Sequence, residues 1–220
     1  MRMDLPAKDQ ICDAVTILTK AQVMDYNGHA SLRDVDTGFL INSGASNRAR
    51  MTADQVCHVD DHGNGTQDQK PPNEAQLHAQ IYRANPDVKA IVHGHPKWST
   101  LYTLTGCDIP IVMPQGCLVA DLPIYPKAHS ISTPERAMDV AKLLGQNAGI
   151  LLAGHGSVFV GATLQQAVAR AIYCEQNAER AYMARALGTV TAIPKDEWPD
   201  YCSNLGKPAL YKKCWVFHLS

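Results

Sequence analysis

Apolar residues recur with two different periods along the chain, and the two periods predict different elements. Apolar positions three and four residues apart predict helices, whereas short apolar runs predict strands. The predicted helices span 9–24, 74–84, 97–105, 134–147 and 164–187. The predicted strands span 30–35, 38–42, 56–60, 89–93, 109–113, 149–153 and 158–160. Because strand pairs are mixed with strand–helix units, we expect an α/β or α+β sheet flanked by helices, and not a purely parallel sheet.

Turn and capping residues place the ends of several elements. Asp36-Thr37 lies between two predicted strands and indicates a hairpin. Asn73 is expected to cap the helix that begins at Glu74, since Asn is a favoured N-cap. Thr52 and Gln55 have the spacing of a capping box and predict a short helix.

Composition places the chain among ordinary globular proteins. Hydrophobic residues make up 45% of the 220 residues and charged residues 19%, with a formal net charge of -1. Without a strong charge of either sign, we expect neither a nucleic-acid partner nor an anionic membrane surface. Because the chain has no apolar membrane-span segment and no apolar signal core near Met1, we expect a cytoplasmic protein.

The length fits one domain over residues 1–220. The segment 194–220 is expected to form a C-terminal tail, either docked on the core or used between subunits. The tail carries several large aromatic residues, among them Trp198, Tyr201, Tyr211 and Trp215.

Histidines cluster where predicted strands end. His93 and His95 alternate with Gly94 after an apolar run, and such spacing on a strand points both side chains to one face. His155 lies between two glycines after a second apolar run, and Glu74 opens a predicted helix. Three imidazoles and one carboxylate suit Zn, Mn, Fe or Co better than Ca or Mg.

The set of motifs resembles the class II aldolase/adducin-head family over roughly residues 9–190. The matching positions are Gly28-His29-Ala30-Ser31, Ser43-Gly44, Glu74, 87–95 and Gly154-His155-Gly156. This resemblance implies an α/β/α sandwich with a mixed, largely antiparallel central sheet. It also implies a homotetramer with active sites at subunit interfaces.

The same resemblance implies the metal ligands and the cofactor. His93, His95 and His155 would hold one divalent ion per chain, with Glu74 as a fourth ligand or as the catalytic base. Zn and Mn are the expected metals, with Fe and Co as alternatives. His29 is a second candidate for proton transfer.

Departures from the aldolase pattern indicate the substrate class. Pro72-Asn73 stands where sugar-phosphate aldolases have two phosphate-holding serines, and proline has no N–H to donate. Arg48 and Arg50 lie in a polar loop and are candidates for gripping a carboxylate. The remaining expected substrate contacts are Asn27, Ser43, Gly44 and Asn73.

We therefore expect a metal-dependent carbon–carbon lyase that acts on a small molecule. Decarboxylation of a non-phosphorylated, hydroxylated and possibly aromatic carboxylate is the first hypothesis. Retro-aldol cleavage or epimerisation of a sugar or sugar phosphate is the alternative. An iron oxygenase and a non-catalytic interaction module like the adducin head are the other classes left open.

Overall fold

The computed structural model describes residues 5–34, 37–65 and 69–220. The helices are α1 (Ala7–Lys20), α2 (Ala75–Ala84), α3 (Lys97–Tyr102), α4 (Pro134–Leu144), α5 (Leu164–Leu187), α6 (Trp198–Leu205) and α7 (Pro208–Leu219). The strands are β1 (His29–Asp34), β2 (Gly38–Asn42), β3 (Val56–Val59), β4 (Ala90–Gly94), β5 (Ile124–Tyr125), β6 (Gly149–Leu152) and β7 (Gly156–Gly161).

All seven of these strands join one sheet in the order β3-β2-β1-β4-β7-β6-β5. Neighbouring strands are antiparallel except β5 and β6, which are parallel. The expectation of a mixed, largely antiparallel sheet is confirmed. Strand β4 lies at the centre, so the strand that carries the His-x-His motif is paired on both sides.

Helices cover both faces of the sheet. On one face α1, α5 and α7 pack against residues such as Ala30, Val92 and Phe159. On the other face α2 and α4 pack against residues such as Ile91 and Ile150. Apolar residues on both faces of a strand are what two helical layers require. The expected α/β/α sandwich is confirmed.

The C-terminal segment packs against the core of its own chain. Helix α7 lies against α5 and α1, and Tyr211 and Trp215 are buried there. Helix α6 lies against the 3-10 turn Pro114–Val119. This arrangement favours the first of the two alternatives for the tail, docking on the core.

Several predicted local features differ from the structure. Segment 109–113 is not a strand, because Asn177 Oδ1 accepts the N–H groups of Val112 and Met113 that a neighbouring strand would need. The N-cap of α2 is Glu74 and not Asn73. Of the predicted hairpin, Val35 and Asp36 lie outside the described residues.

The predicted capping box is confirmed, and a further side-chain cap is present in the structure. The Thr52 and Gln55 side chains form the expected capping box around a 3-10 turn. Thr163 caps α5 by accepting the N–H of Gln166 at 3.2 Å. Within 5–34, 37–65 and 69–220, each helix is too short or too polar to cross a lipid bilayer.

Candidate active site

The predicted metal ligands meet at one end of the sheet because of strand register. His93 is the penultimate residue of β4, and His95 follows that strand's last residue. His155 lies in the turn between β6 and β7, directly before Gly156, and Gly94 pairs with Ser157 across β4 and β7. Helix α2 begins beside this point and brings Glu74 to it.

The distances between donor atoms fit one metal ion. His93 Nε2 lies 3.2 Å from His95 Nε2 and 3.3 Å from Glu74 Oε2, and His155 Nε2 lies 3.7 Å from Glu74 Oε1. Metal–nitrogen bonds of 2.0–2.1 Å at tetrahedral angles place two ligand atoms about 3.3 Å apart. One donor atom from each of the three histidines lies within 4.8 Å of the others. The residues present therefore fit a divalent ion.

Two of the histidines are oriented by acceptors behind them. His93 Nδ1 lies 3.0 Å from the carbonyl oxygen of Ser157, and His95 Nδ1 lies 2.9 Å from Asp25 Oδ1. A proton on each Nδ1 leaves the Nε2 lone pair free for a metal. Asp25 and Ser157 were not predicted, because nothing in the sequence shows which groups lie behind a ligand.

Glu74 is held in place through both of its oxygens. Oε1 accepts hydrogen bonds from Ile131 N–H at 2.7 Å and from Ser130 Oγ at 2.9 Å. Oε2 faces His29 Nε2 at 3.4 Å and His93 Nε2 at 3.3 Å. Burial opposes ionisation of Glu74, but the neighbouring imidazoles of His29 and His93 outweigh it and hold the pKa well below its ordinary value.

Burial also keeps two site histidines neutral. It lowers the pKa of His29 to about 4, although the Glu74 hydrogen bond opposes this change. It lowers the pKa of His155 to about 4, with the neighbouring His93 acting in the same direction. Neutral imidazoles are the form that binds metals.

Glycines allow the close approach of the two ligand-bearing turns. Gly154 has a φ of +64°, a left-handed conformation that residues with side chains rarely adopt. A Cβ on Gly156 would lie 2.2 Å from the Gly94 carbonyl oxygen. The small residues on both sides of His155 therefore let β4 and the β6–β7 turn come together.

A cavity of about 600 Å³ opens beside these ligands. Of the predicted substrate contacts, Asn27, Gly44, Arg48 and Asn73 line it, and so does Lys70, which sequence reasoning missed. The same cavity is lined by His29, Glu74, His95 and His155.

Three predicted substrate contacts have other roles or positions. Arg48 is buried, and its Nε and Nη1 donate to the carbonyls of Gly28, Ser43 and Gly44 at 3.0–3.2 Å. Its guanidinium therefore holds the loop together more than it reaches for a ligand. Ser43 is buried, and its N–H donates to the Gln55 carbonyl at 2.8 Å. Arg50 is exposed on the surface, outside the cavity lining.

Known proteins of similar sequence include decarboxylases and aldolases. Residues 9–182 match the family model described as the class II aldolase and adducin N-terminal domain. A 3,4-dihydroxyphthalate decarboxylase of Terrabacter sp. strain DBF63 is 32% identical over 203 residues, which cover 85% of each chain. A 5-methylthioribulose-1-phosphate/5-deoxyribulose-1-phosphate aldolase of Rhodospirillum rubrum is 28% identical, over 77% of each chain.

Solved structures agree on the fold. The L-fuculose 1-phosphate aldolase of Glaciozyma antarctica superposes with a TM-score of 0.83 at 21% identity, covering 97% of this chain and 86% of that one. At this identity the likeness shows a shared fold. Together with the matched family model, it shows that the chain belongs to the class II aldolase and adducin N-terminal domain family.

Proposed function

We propose that this chain is a divalent-metal-dependent carbon–carbon lyase that releases CO₂ from a hydroxylated carboxylate without phosphate. The observation that carries the proposal is the convergence of His93, His95, His155 and Glu74, of which His95, His155 and Glu74 line the cavity. A divalent ion held there would stabilise the negative charge that develops on a substrate oxygen when the carbon–carbon bond breaks.

The backbone around 43–44 and 71–72 at the cavity is poor in donors for a phosphate group. The N–H of Ser43 already donates to Gln55, and the N–H of Gly44 donates to the Lys70 carbonyl at 3.0 Å. Pro71 and Pro72 have no N–H. Phosphate recognition depends on several charge-assisted hydrogen bonds of about 1.5–3 kcal/mol each. The backbone around 43–44 and 71–72 does not supply them.

Positive charge in the cavity remains suitable for a carboxylate. Lys70 is exposed at the cavity lining, which also includes Arg48. The substrate carboxylate that stays on the product would bind near these two residues, which orients the departing carboxylate towards the histidines.

His29 is our candidate for the group that supplies the proton replacing CO₂. Its Nε2 faces Glu74 Oε2, and its ring packs against His93 with centroids 4.7 Å apart. When CO₂ leaves, the electron pair of the broken bond stays on the substrate, and that carbon must gain one proton. His29 would take up a proton from water to form an imidazolium, which the Glu74 carboxylate stabilises, and would then donate its Nε2 proton to that carbon.

Two named relatives agree with decarboxylation and one with aldol chemistry. The 3,4-dihydroxyphthalate decarboxylases of Terrabacter sp. strain DBF63 and of Arthrobacter keyseri are 32% and 31% identical to this chain. The Rhodospirillum rubrum aldolase keeps retro-aldol cleavage as the second candidate. Both reactions leave electrons on a carbon next to an oxygen, so one metal site can serve either.

The test compares the two classes of substrate on protein that carries the same metal. Protein loaded separately with Zn, Mn, Co or Fe(II) is assayed for CO₂ release from hydroxylated aromatic carboxylates, beginning with 3,4-dihydroxyphthalate. Cleavage of sugar 1-phosphates is assayed in parallel. We expect a higher kcat/KM for a carboxylate and no dependence on oxygen. A higher kcat/KM for a sugar phosphate would restore the aldolase hypothesis, and oxygen-dependent turnover would indicate an oxygenase.

A further inference from the structure

Behind His29 lies a buried chain of hydrogen bonds that leads away from the cavity. His29 Nδ1 lies 2.7 Å from His78 Nε2, and His78 Nδ1 lies 2.6 Å from Ser31 Oγ. Ser31 Oγ lies 2.7 Å from the hydroxyl of Tyr82. Each of the four residues is at most 3% exposed. At its other end, His29 Nε2 faces Glu74.

The groups at the two ends of this hydrogen-bond series determine which partner donates at each step. Burial raises the pKa of Tyr82, so its phenol keeps the proton and can donate to Ser31. Ser31 then donates to His78 Nδ1. A neutral imidazole has one donor and one acceptor nitrogen, so His78 Nε2–H donates to His29 Nδ1. The proton of His29 is left on Nε2, directed at the Glu74 carboxylate.

The opposite direction satisfies the same groups less well. It would require Tyr82 to donate to the Lys89 carbonyl, which lies 3.5 Å away, whereas Ser31 lies at 2.7 Å. It would also place the bare lone pair of His29 Nε2 against the carboxylate of Glu74 at 3.4 Å, with no hydrogen between them.

We propose that His78 is a positioning residue that, together with Ser31 and Tyr82, fixes the proton of His29 on Nε2. This tautomer distinguishes two possible metal sets. One comprises His93, His95 and His155, and the other comprises His29, Glu74 and His93. A proton on Nε2 removes the lone pair that the second set needs from His29. His29 is therefore a proton donor beside the metal site and not a ligand in it.

The packing around these hydrogen-bonded side chains offers a control variant that removes no hydrogen bond. The ring of Phe39 stacks on His78 with an interplanar angle of 17° and contacts the ring of Tyr82 at 5.3 Å between centroids. Phe39→Leu loosens the packing of both residues and leaves every donor and acceptor in place. An effect that is merely structural should appear in this variant as well.

The tautomer assignment rests on hydrogen bonds alone, whereas its catalytic consequence rests on the proposed function. The first measurement is therefore independent of activity. Nitrogen-15 spectra of histidine-labelled, metal-free protein report which ring nitrogen of His29 carries hydrogen, with His29→Asn used for assignment. We expect hydrogen on Nε2. His78→Gln should keep this state because its amide can donate from the position of the lost Nε2–H, whereas His78→Met should give a mixture of tautomers. Hydrogen on Nδ1 in the wild-type protein would overturn the proposal.

The second measurement uses metal-loaded protein and CO₂ release. Outer groups that fix a histidine tautomer typically contribute 10- to 100-fold. We expect His78→Met and Tyr82→Phe to lower kcat by about 10-fold or more with KM little changed, and His78→Gln to recover most of the loss. An equal loss in His78→Gln and His78→Met, or in Phe39→Leu, would show a structural role and overturn the proposal. If the wild-type protein releases no CO₂ from any substrate, the proposed function fails, and the spectra still decide the tautomer.

Discussion

Replacing Glu74 by Gln tests the site before any substrate is known. The carboxylate accepts from Ile131 N–H and Ser130 through one oxygen and faces His29 and His93 with the other. The amide replaces one oxygen by NH₂, so whichever way it turns, at least one buried donor loses its acceptor. A hydrogen bond to a charged group contributes about 1.5–3 kcal/mol. We expect the free energy of unfolding to fall by about that amount.

Urea unfolding at pH 7 in the presence of EDTA measures this change, because a bound metal would add its own stabilisation. With a slope of about 2 kcal/mol per M, the midpoint should fall by roughly 1 M. The exposed carboxylate of Glu135, which is hydrogen-bonded only to its own backbone and to Thr133, provides a matched control, and Glu135→Gln should lower the midpoint far less. Equal midpoints for Glu74→Gln and wild type would refute the hydrogen bonding described for Glu74. In metal-loaded protein, turnover by Glu74→Gln should fall by about 100-fold or more.

Three further predictions follow from the same contacts. His93→Ala combined with His95→Ala should abolish binding of one divalent ion per chain, measured by elemental analysis after dialysis, and full occupancy would contradict the ligand assignment. Arg48→Lys should lower the free energy of unfolding by at least about 2 kcal/mol, because a lysine ammonium cannot donate to three carbonyls in the geometry of the guanidinium. An unchanged free energy of unfolding in urea would show that these hydrogen bonds do not stabilise the fold. Metal-free protein should lose stability as the pH falls from about 6.5 towards 4, because His29 and His155 have a folded pKa of about 4 and the unfolded chain binds protons first. The slope should reach about 1.4 kcal/mol per pH unit for each such histidine, and pH-independent urea midpoints over this range would contradict the lowered pKa values.

The convergence of the candidate metal ligands could be predicted because local signals carry it. Strand alternation places His93 and His95 on one face, and the glycines around His155 indicate close packing. Glu74 was predicted at the start of α2, although it was expected inside the helix and is instead its N-cap. These inferences need only the residue types and their spacing within short segments of the sequence.

The parts that were missed depend on contacts between distant segments. His78 meets Ser31 only because α2 packs across β1, and the sequence separation of 47 residues hides this contact. A partial signal exists, since His78 and Tyr82 are one helical turn apart and share a face. The polar loop around Arg48 predicts an accessible side chain that can bind a ligand. In the structure the guanidinium instead donates to carbonyls that would otherwise be buried without donors.

The prediction of a strand at 109–113 shows how tertiary contacts override an apolar run. The segment is apolar, but Asn177 of α5 accepts its N–H groups and also donates to the Pro110 carbonyl at 2.9 Å. A polar side chain on a distant helix therefore takes the place of a neighbouring strand. The homotetramer and the cytoplasmic location stay predictions.

The central claim is that the histidine and Glu74 set makes this chain a metal-dependent lyase. Its most direct test is a titration of metal-free protein with Zn or Mn while CO₂ release from a hydroxylated aromatic carboxylate is followed. We expect activity that rises linearly and reaches its plateau at one ion per chain, and no activity at any metal level in the His93→Ala/His95→Ala variant. CO₂ release that is independent of added metal, or equal in the variant, would contradict it.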